Sequence, residues 1–275
     1  MKCAFFGTPD FAAVILEKLI ESGFLPALVV CNPDRPVGRK KIITPPPVKS
    51  LIMEHKTWNI NILQPEKLDK DFMLQVSSFM PDVFIVAAYA KIIPKEILEL
   101  PLFGTIGVHP SLLPEYRGSS PIQSVILNGE TKTGVTLFLA DEKVDHGKIL
   151  SDIRYRISNG ETYETLMKKL AELGGDLLVE TLPKFLRGEI TSLPQDESRA
   201  TYTKKFKTED GYVDLEKDKP EIIERKIRAL NPEPGVWTMM NNKRTKLLEA
   251  ELVDGKLKLT KIQVEGKKPQ IVEGI

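Results

Sequence analysis

Two hydrophobic periods organise the first 190 residues of the chain. Residues 2–6 and 26–31 are short continuous apolar runs, the pattern of strands buried on both faces. Between them, residues 11–21 carry the 3.6-residue period of an amphipathic helix, and Gly7-Thr8-Pro9-Asp10 supplies a turn. Strand, glycine turn, helix and strand make the opening βαβ unit of a doubly wound, Rossmann-like α/β sheet. Further strands are expected at 59–63, 82–88, 105–108, 134–140 and 149–156. Helices are expected at 47–55, 69–78 and 121–127, with a long helix or helix pair at 161–187.

The pattern changes after residue 187. Residues 188–205 are polar and read as a linker. Beyond it, short strands at 212–215, 235–240, 245–252 and 256–264 surround one helix at 222–230, which suggests a small, shortened, β-barrel-like domain. The expected organisation is therefore a domain at 1–187, the linker, and a C-terminal β domain at 206–275. One stretch resists both periods. Residues 34–49 (DRPVGRKKIITPPPVK) hold Pro36, Gly38 and three consecutive prolines, and read as a loop without regular structure.

Composition narrows the function. With 39 Lys and Arg against 38 Asp and Glu, overall charge points to no polyanion partner, so any nucleic-acid surface has to be local. The 34–49 loop is such a place, with Arg35, Arg39, Lys40, Lys41 and Lys49 against Asp34; it is either a solvated basic loop or a phosphate contact. A second lies between Lys243 and Lys268, where eight basic residues face four acidic ones. Cys3 and Cys31 fall in expected buried strands as core thiols, and no metal-ligand spacing is present. No apolar run approaches a membrane span and the start lacks a signal-peptide layout, so a cytoplasmic protein with no membrane partner is expected, and separately a monomer. The absence of G-x-G-x-x-G argues against a dinucleotide.

The candidate chemistry lies between Gly104 and Leu150. A strand delivers His109 into a proline-punctuated loop, and a second strand leads to an acidic loop with Asp141 and Asp145. A His and an Asp beside neighbouring strand ends can act as an acid/base pair, the carboxylate fixing the imidazole tautomer.

His109-Pro-Ser-Leu-Leu-Pro-x-Tyr-Arg-Gly, Thr133-Gly-Val-Thr and Asp141-x-x-x-Asp-x-Gly together resemble the 10-formyltetrahydrofolate-dependent formyltransferases, most nearly the branch acting on methionyl-initiator-tRNA. Gly7-Thr-Pro-Asp-Phe and Asn231-Pro-Glu-Pro-Gly add to the resemblance, which spans nearly the whole chain. It implies formyl transfer from the folate to an amine, with His109 donating to the oxyanion and Asp145 orienting it. The family's Asn-x-His-Pro-Ser pattern has Gly107 at its Asn position, so one oxyanion donor is absent. The resemblance further implies that Ala88, Tyr89 and Ala90 form one wall of the folate site and the loop with Asp141 the other, beside a rigid arc of Ser111, Leu112, Leu113 and Pro114. It implies tRNA contact through Arg39, which aligns with the family's key arginine, and through Lys40 and Lys41. Arg117 either positions a substrate or stabilises its loop. Two other readings are a sugar-amine N-formyltransferase and a folate- or tRNA-binding homologue without catalysis.

Overall fold

The computed structural model describes residues 2–38 and 40–273, which divide into two compact units. In chain order the elements are β1 (Cys3–Gly7), α1 (Asp10–Glu21), β2 (Leu28–Val30), β3 (Arg35–Val37), β4 (Ile42–Thr44), α2 (Pro47–Glu54), β5 (Asn61–Leu63) and α3 (Lys70–Ser78). There follow β6 (Val83–Ala87), α4 (Lys95–Leu98), β7 (Thr105–His109), β8 (Arg117–Gly118), α5 (Pro121–Asn128), β9 (Lys132–Leu139), β10 (Ile149–Arg156) and α6 (Tyr163–Leu186). The chain ends in β11 (Tyr202–Thr203), α7 (Pro220–Leu230), β12 (Val236–Met240), β13 (Lys243–Val253), β14 (Lys256–Val264) and β15 (Gln270–Ile271).

The first unit runs to Arg117 and takes in Gly134–Tyr155 and Met167–Tyr202. Its sheet has strand order β10-β9-β7-β6-β1-β2-β5, parallel from β7 through β5, with β9 antiparallel to β7. Every residue of β1 is buried, as a central parallel strand demands. Phe6 packs between Phe84, at 4.9 Å between ring centroids, and Tyr89, at 5.6 Å.

On one face of β7 and β9, Val108 and Val135 approach α6 so closely that a Cβ at Gly174 would stand 3.1 and 3.2 Å from their methyls. Gly175 lets the helix come against Lys18 of α1 in the same way. Two glycines inside a 24-residue helix cost about 1 kcal/mol each, and close packing offsets it. Because side chains alternate across a strand, Thr105, Gly107 and His109 share the opposite face of β7.

The 34–49 stretch corrects the expectation of a loop. β3 and β4 form a hairpin with Arg35 opposite Thr44 and Val37 opposite Ile42. Pro36 is tolerated because a two-stranded ribbon leaves one edge unpaired, and Gly38 turns with φ 68°. The last of the three prolines, Pro47, opens α2, where its missing N–H has no helical partner to lose.

The second unit comprises Gly118–Thr133, Arg156–Leu166 and the chain from Thr203. Its four strands form an open antiparallel meander, β12-β13-β14-β15, with β12 and β15 as its edges. Helix α7 buries Ile223, Ile227 and Leu230 and lies against β13 and β14. Its Arg228 pairs with Glu224 and donates to the Glu161 carbonyl at 2.8 Å. The strand expected at 212–215 is a single bridge from Tyr212 to Trp237. Asp214 accepts from the Glu216 and Lys217 amides there, and that local turn ends the extended run.

Candidate active site

Strand β7 carries His109 to the carboxyl end of the first unit's sheet, where open α/β sheets place their ligands. The ring is 6% exposed. Its Nε2 lies 2.9 Å from the Tyr116 carbonyl and its Nδ1 3.5 Å from Asp145 Oδ2. A carbonyl only accepts, so Nε2 carries the proton in that bond and Nδ1 is left facing the carboxylate. At 3.5 Å the two are near neighbours without a tight hydrogen bond, leaving Nδ1 able to exchange a proton. Asp145 stands in the left-handed region at φ 50° and keeps about a fifth of its side chain exposed.

Gly147 lets this loop return to β9: a Cβ there would come within 1.7 Å of the Leu139 carbonyl oxygen. The glycine of Asp-x-x-x-Asp-x-Gly thus has a steric origin. Gly107, paired with Phe138 in the β7–β9 register, is covered by that ring, whose Cε1 and Cζ would lie 2.4 and 2.5 Å from an added Cβ.

The arc after His109 is rigid. Thr136 Oγ1 donates to the Ser111 carbonyl at 2.7 Å and accepts from the Leu113 amide at 3.0 Å, while Ser111 Oγ donates to the Glu115 carbonyl at 2.6 Å. Ser111, Leu113 and Pro114 are buried, and Ser111 spends its amide, hydroxyl and carbonyl internally. Of the four arc side chains, Leu112 alone is partly exposed.

At the end of β6, Ala88 and Ala90 are exposed, and Ala88 adopts φ 47° while Ala90 stays outside the left-handed region. Between them, the Tyr89 side chain turns into the core and leaves its backbone at the strand end. Its ring packs edge-on to Phe6, its hydroxyl is buried with no hydrogen-bond partner among the described residues, and burial pushes its pKa well up. Asp141 is engaged by a residue that the sequence reading passed over, His146, whose Nδ1 is 2.6 Å from its Oδ2.

Arg117 departs furthest from a substrate-contacting role. Its side chain has no exposed surface, and its guanidinium donates to Glu197 at 2.6 and 3.0 Å, to Gln195 at 2.7 and 3.1 Å and to Tyr202 at 3.1 Å. A buried, fully engaged guanidinium holds a loop; it is not offered to a ligand. The 188–205 segment, expected as a linker, supplies these partners and therefore packs onto the first unit as far as Tyr202.

The basic hairpin divides in two. Arg35 pairs with Glu66 at 2.7 Å, and Lys49 is held by Asp34 and Gln64 at 2.7–2.9 Å, which places Asp34 below the usual carboxylate range. Lys40 and Lys41 at the turn are exposed and make no ion pair with the described residues; Arg39 lies outside them. Beside the hairpin is a cavity of about 920 Å³ lined by Thr8, Asp10, Asn32, Arg35, Thr44 and Lys91 among others, at the carboxyl ends of β1, β2 and β6. His109 and Asp145 are not in its lining.

Residues 1–182 match the family described as formyl transferase, and residues 205–272 match its C-terminal domain. The class is that of an enzyme of formyl transfer. The chain is 43% identical over 254 residues to the methionyl-tRNA formyltransferase of Halalkalibacterium halodurans, covering 92% of this chain and 79% of that one. Among solved structures, the methionyl-tRNA formyltransferase from Clostridium thermocellum superposes with a TM-score of 0.63 at 19% identity, with both chains fully covered. An N-formyltransferase from Helicobacter canadensis, solved with folinic acid and dTDP-3-aminofucose, gives 0.66 at 19% identity over 92% of this chain and 88% of its own. The chain belongs to the methionyl-tRNA formyltransferase family.

Proposed function

We propose that the chain, as a cytoplasmic monomer, moves the formyl group of 10-formyltetrahydrofolate to the α-amine of methionyl-initiator-tRNA. The observation that carries the reading is the His109–Asp145 pair at the carboxyl end of β7, on a chain 43% identical to a methionyl-tRNA formyltransferase. The amine attacks the formyl carbon, a carbon–nitrogen bond forms, and the carbonyl electrons move to oxygen. Collapse restores the carbonyl and breaks the bond to N10, which takes a proton while the amine loses one.

His109 Nε2 is committed to the Tyr116 carbonyl, so donation to the oxyanion falls to Nδ1 and requires the doubly protonated ring, with Asp145 as its countercharge. The arc with Leu112 and the exposed backbone at Ala88 and Ala90 would flank the folate, and Asp141 would border it on the other side. Lys40 and Lys41, together with Arg39 next to them in sequence, would meet the tRNA backbone.

A sugar-amine acceptor is the second reading, motivated by the likeness to the Helicobacter canadensis fold. It gives no use to a basic hairpin. Single-turnover assays with 10-formyltetrahydrofolate and either methionyl-tRNA or an amino-sugar nucleotide, read by mass spectrometry, separate the two. Formylmethionine is expected; formylated sugar with no formylmethionine would overturn the proposal.

A further inference from the structure

Gln195 lies 50 residues beyond Asp145 in a polar stretch with no motif, yet its amide closes on the turn that presents the carboxylate. Nε2 donates to the Asp145 carbonyl at 2.9 Å and to the Gly147 carbonyl at 2.8 Å. Oε1 accepts from Arg117 Nε at 3.1 Å and Nη2 at 2.7 Å. A guanidinium only donates and a carbonyl only accepts, so the two ends of this amide cannot exchange places. Leu193, two residues earlier, is itself held by paired backbone hydrogen bonds to Ile149 at 2.7 and 2.8 Å.

The turn needs holding. Asp145 has a Cβ and adopts φ 50°, a conformation that persists where the surroundings over-determine it. The two carbonyls gripped by Gln195 bracket His146, so the amide pins the segment immediately after Asp145.

We infer that Gln195 is a positioning residue: oriented by Arg117, its amide sets the Asp145 turn and thereby the carboxylate's place beside His109. The inference rests on the proposed role of that pair. It also gives the buried Arg117 a purpose, since its Nε and Nη2 aim the amide oxygen while Glu197 balances its charge.

Gln195→Glu is the discriminating variant. It keeps the side chain's length and its pairing with Arg117 but turns an acceptor toward the two carbonyls. Gln195→Met, of similar length and without polar amide atoms, carries the test should the first fail to fold. The readouts are kcat, the KM for 10-formyltetrahydrofolate and the kcat–pH profile, beside a melting curve. The expected result is a fall of about 10- to 100-fold in kcat, a folate KM within about twofold and a displaced pH profile. Wild-type kcat and profile in a folded variant would overturn the inference, as would equal losses in kcat and affinity with an unmoved profile. Asp145→Asn in the same assay separates the two levels. If it keeps full activity, the role of the pair fails; if it is inactive while Gln195→Glu is wild-type, the inference alone fails.

Discussion

The ring of Phe138 occupies the space in which a side chain at position 107 would begin. The two residues are cross-strand partners in the β7–β9 register, and the ring's Cε1 would stand 2.4 Å from a Cβ on Gly107. An aromatic folded over a facing glycine keeps a sheet packed where a side chain is missing. The same face of β7 carries His109, so a side chain at 107 would share its side of the sheet.

This relationship sets the outcome of restoring the family's asparagine. Gly107→Asn alone must displace a ring that is 5% exposed, and is expected to lower the melting temperature without raising turnover. Gly107→Asn with Phe138→Leu removes the two closest ring atoms and admits the amide. A regained oxyanion donor is worth about 10²–10³ in rate, so the double variant is expected to exceed the wild-type kcat about 100-fold. Single-turnover formylation with saturating folate measures it. A stable double variant with wild-type kcat would show that an amide at 107 contributes nothing to the step.

His109→Asn and Asp145→Asn each remove one member of the pair, the first also giving up the bond to the Tyr116 carbonyl. Each is expected to lower kcat by about 10²–10⁴, with melting temperatures near wild type. Groups that act as a unit are non-additive, so the double variant should be scarcely slower than the worse single one. Losses that multiply would indicate two independent contributions instead of one pair.

How much of this was legible beforehand depends on what each residue answers to. The strands and helices of the first unit follow apolar periodicity, and β10 and β14 occupy the residues expected of them. His109 and Asp145 stand out by residue type and motif. Phe138 does not, because its relation to Gly107 exists only through strand register. Arg117 reads equally as a substrate contact or a loop stabiliser, because the partners that bury it come 78 to 85 positions later. Strand alternation turns the Tyr89 ring into the core, which the apolar run at 82–88 does not by itself distinguish. The hairpin at 35–44 was hidden by prolines whose positions, an open edge and a helix N1, are the ones that tolerate them.

Lys40 and Lys41 test the nucleic-acid side of the proposal. Each phosphate contact that is lost removes one counterion release, so Lys40→Ala with Lys41→Ala should weaken methionyl-tRNA binding and flatten its log–log salt dependence by about one to two units. The folate KM should not change. The slope comes from tRNA affinity measured between about 50 and 200 mM salt. An unchanged slope would assign these lysines to a solvated turn.

The Arg117–Glu197 pair gives a pH signature. The Arg117 guanidinium, by hydrogen bond first and by charge second, holds the Glu197 carboxyl below its ordinary value. A carboxyl with a lowered folded pKa stabilises the fold above its unfolded pKa, about 4.3, and that contribution fades as pH falls through the folded value. Glu197 is more than half exposed, so solvent screens part of the attraction and the effect is modest. The wild-type melting temperature should therefore fall more steeply below about pH 4.5 than that of Glu197→Gln. At pH 7 the order reverses in importance: the glutamine variant leaves the buried guanidinium without its carboxylate and should melt several degrees lower. Melting curves from pH 3 to 7 test both halves. Parallel curves would mean that the guanidinium is balanced by Gln195 and Tyr202 without Glu197, and the clamp would then owe its strength to neutral hydrogen bonds.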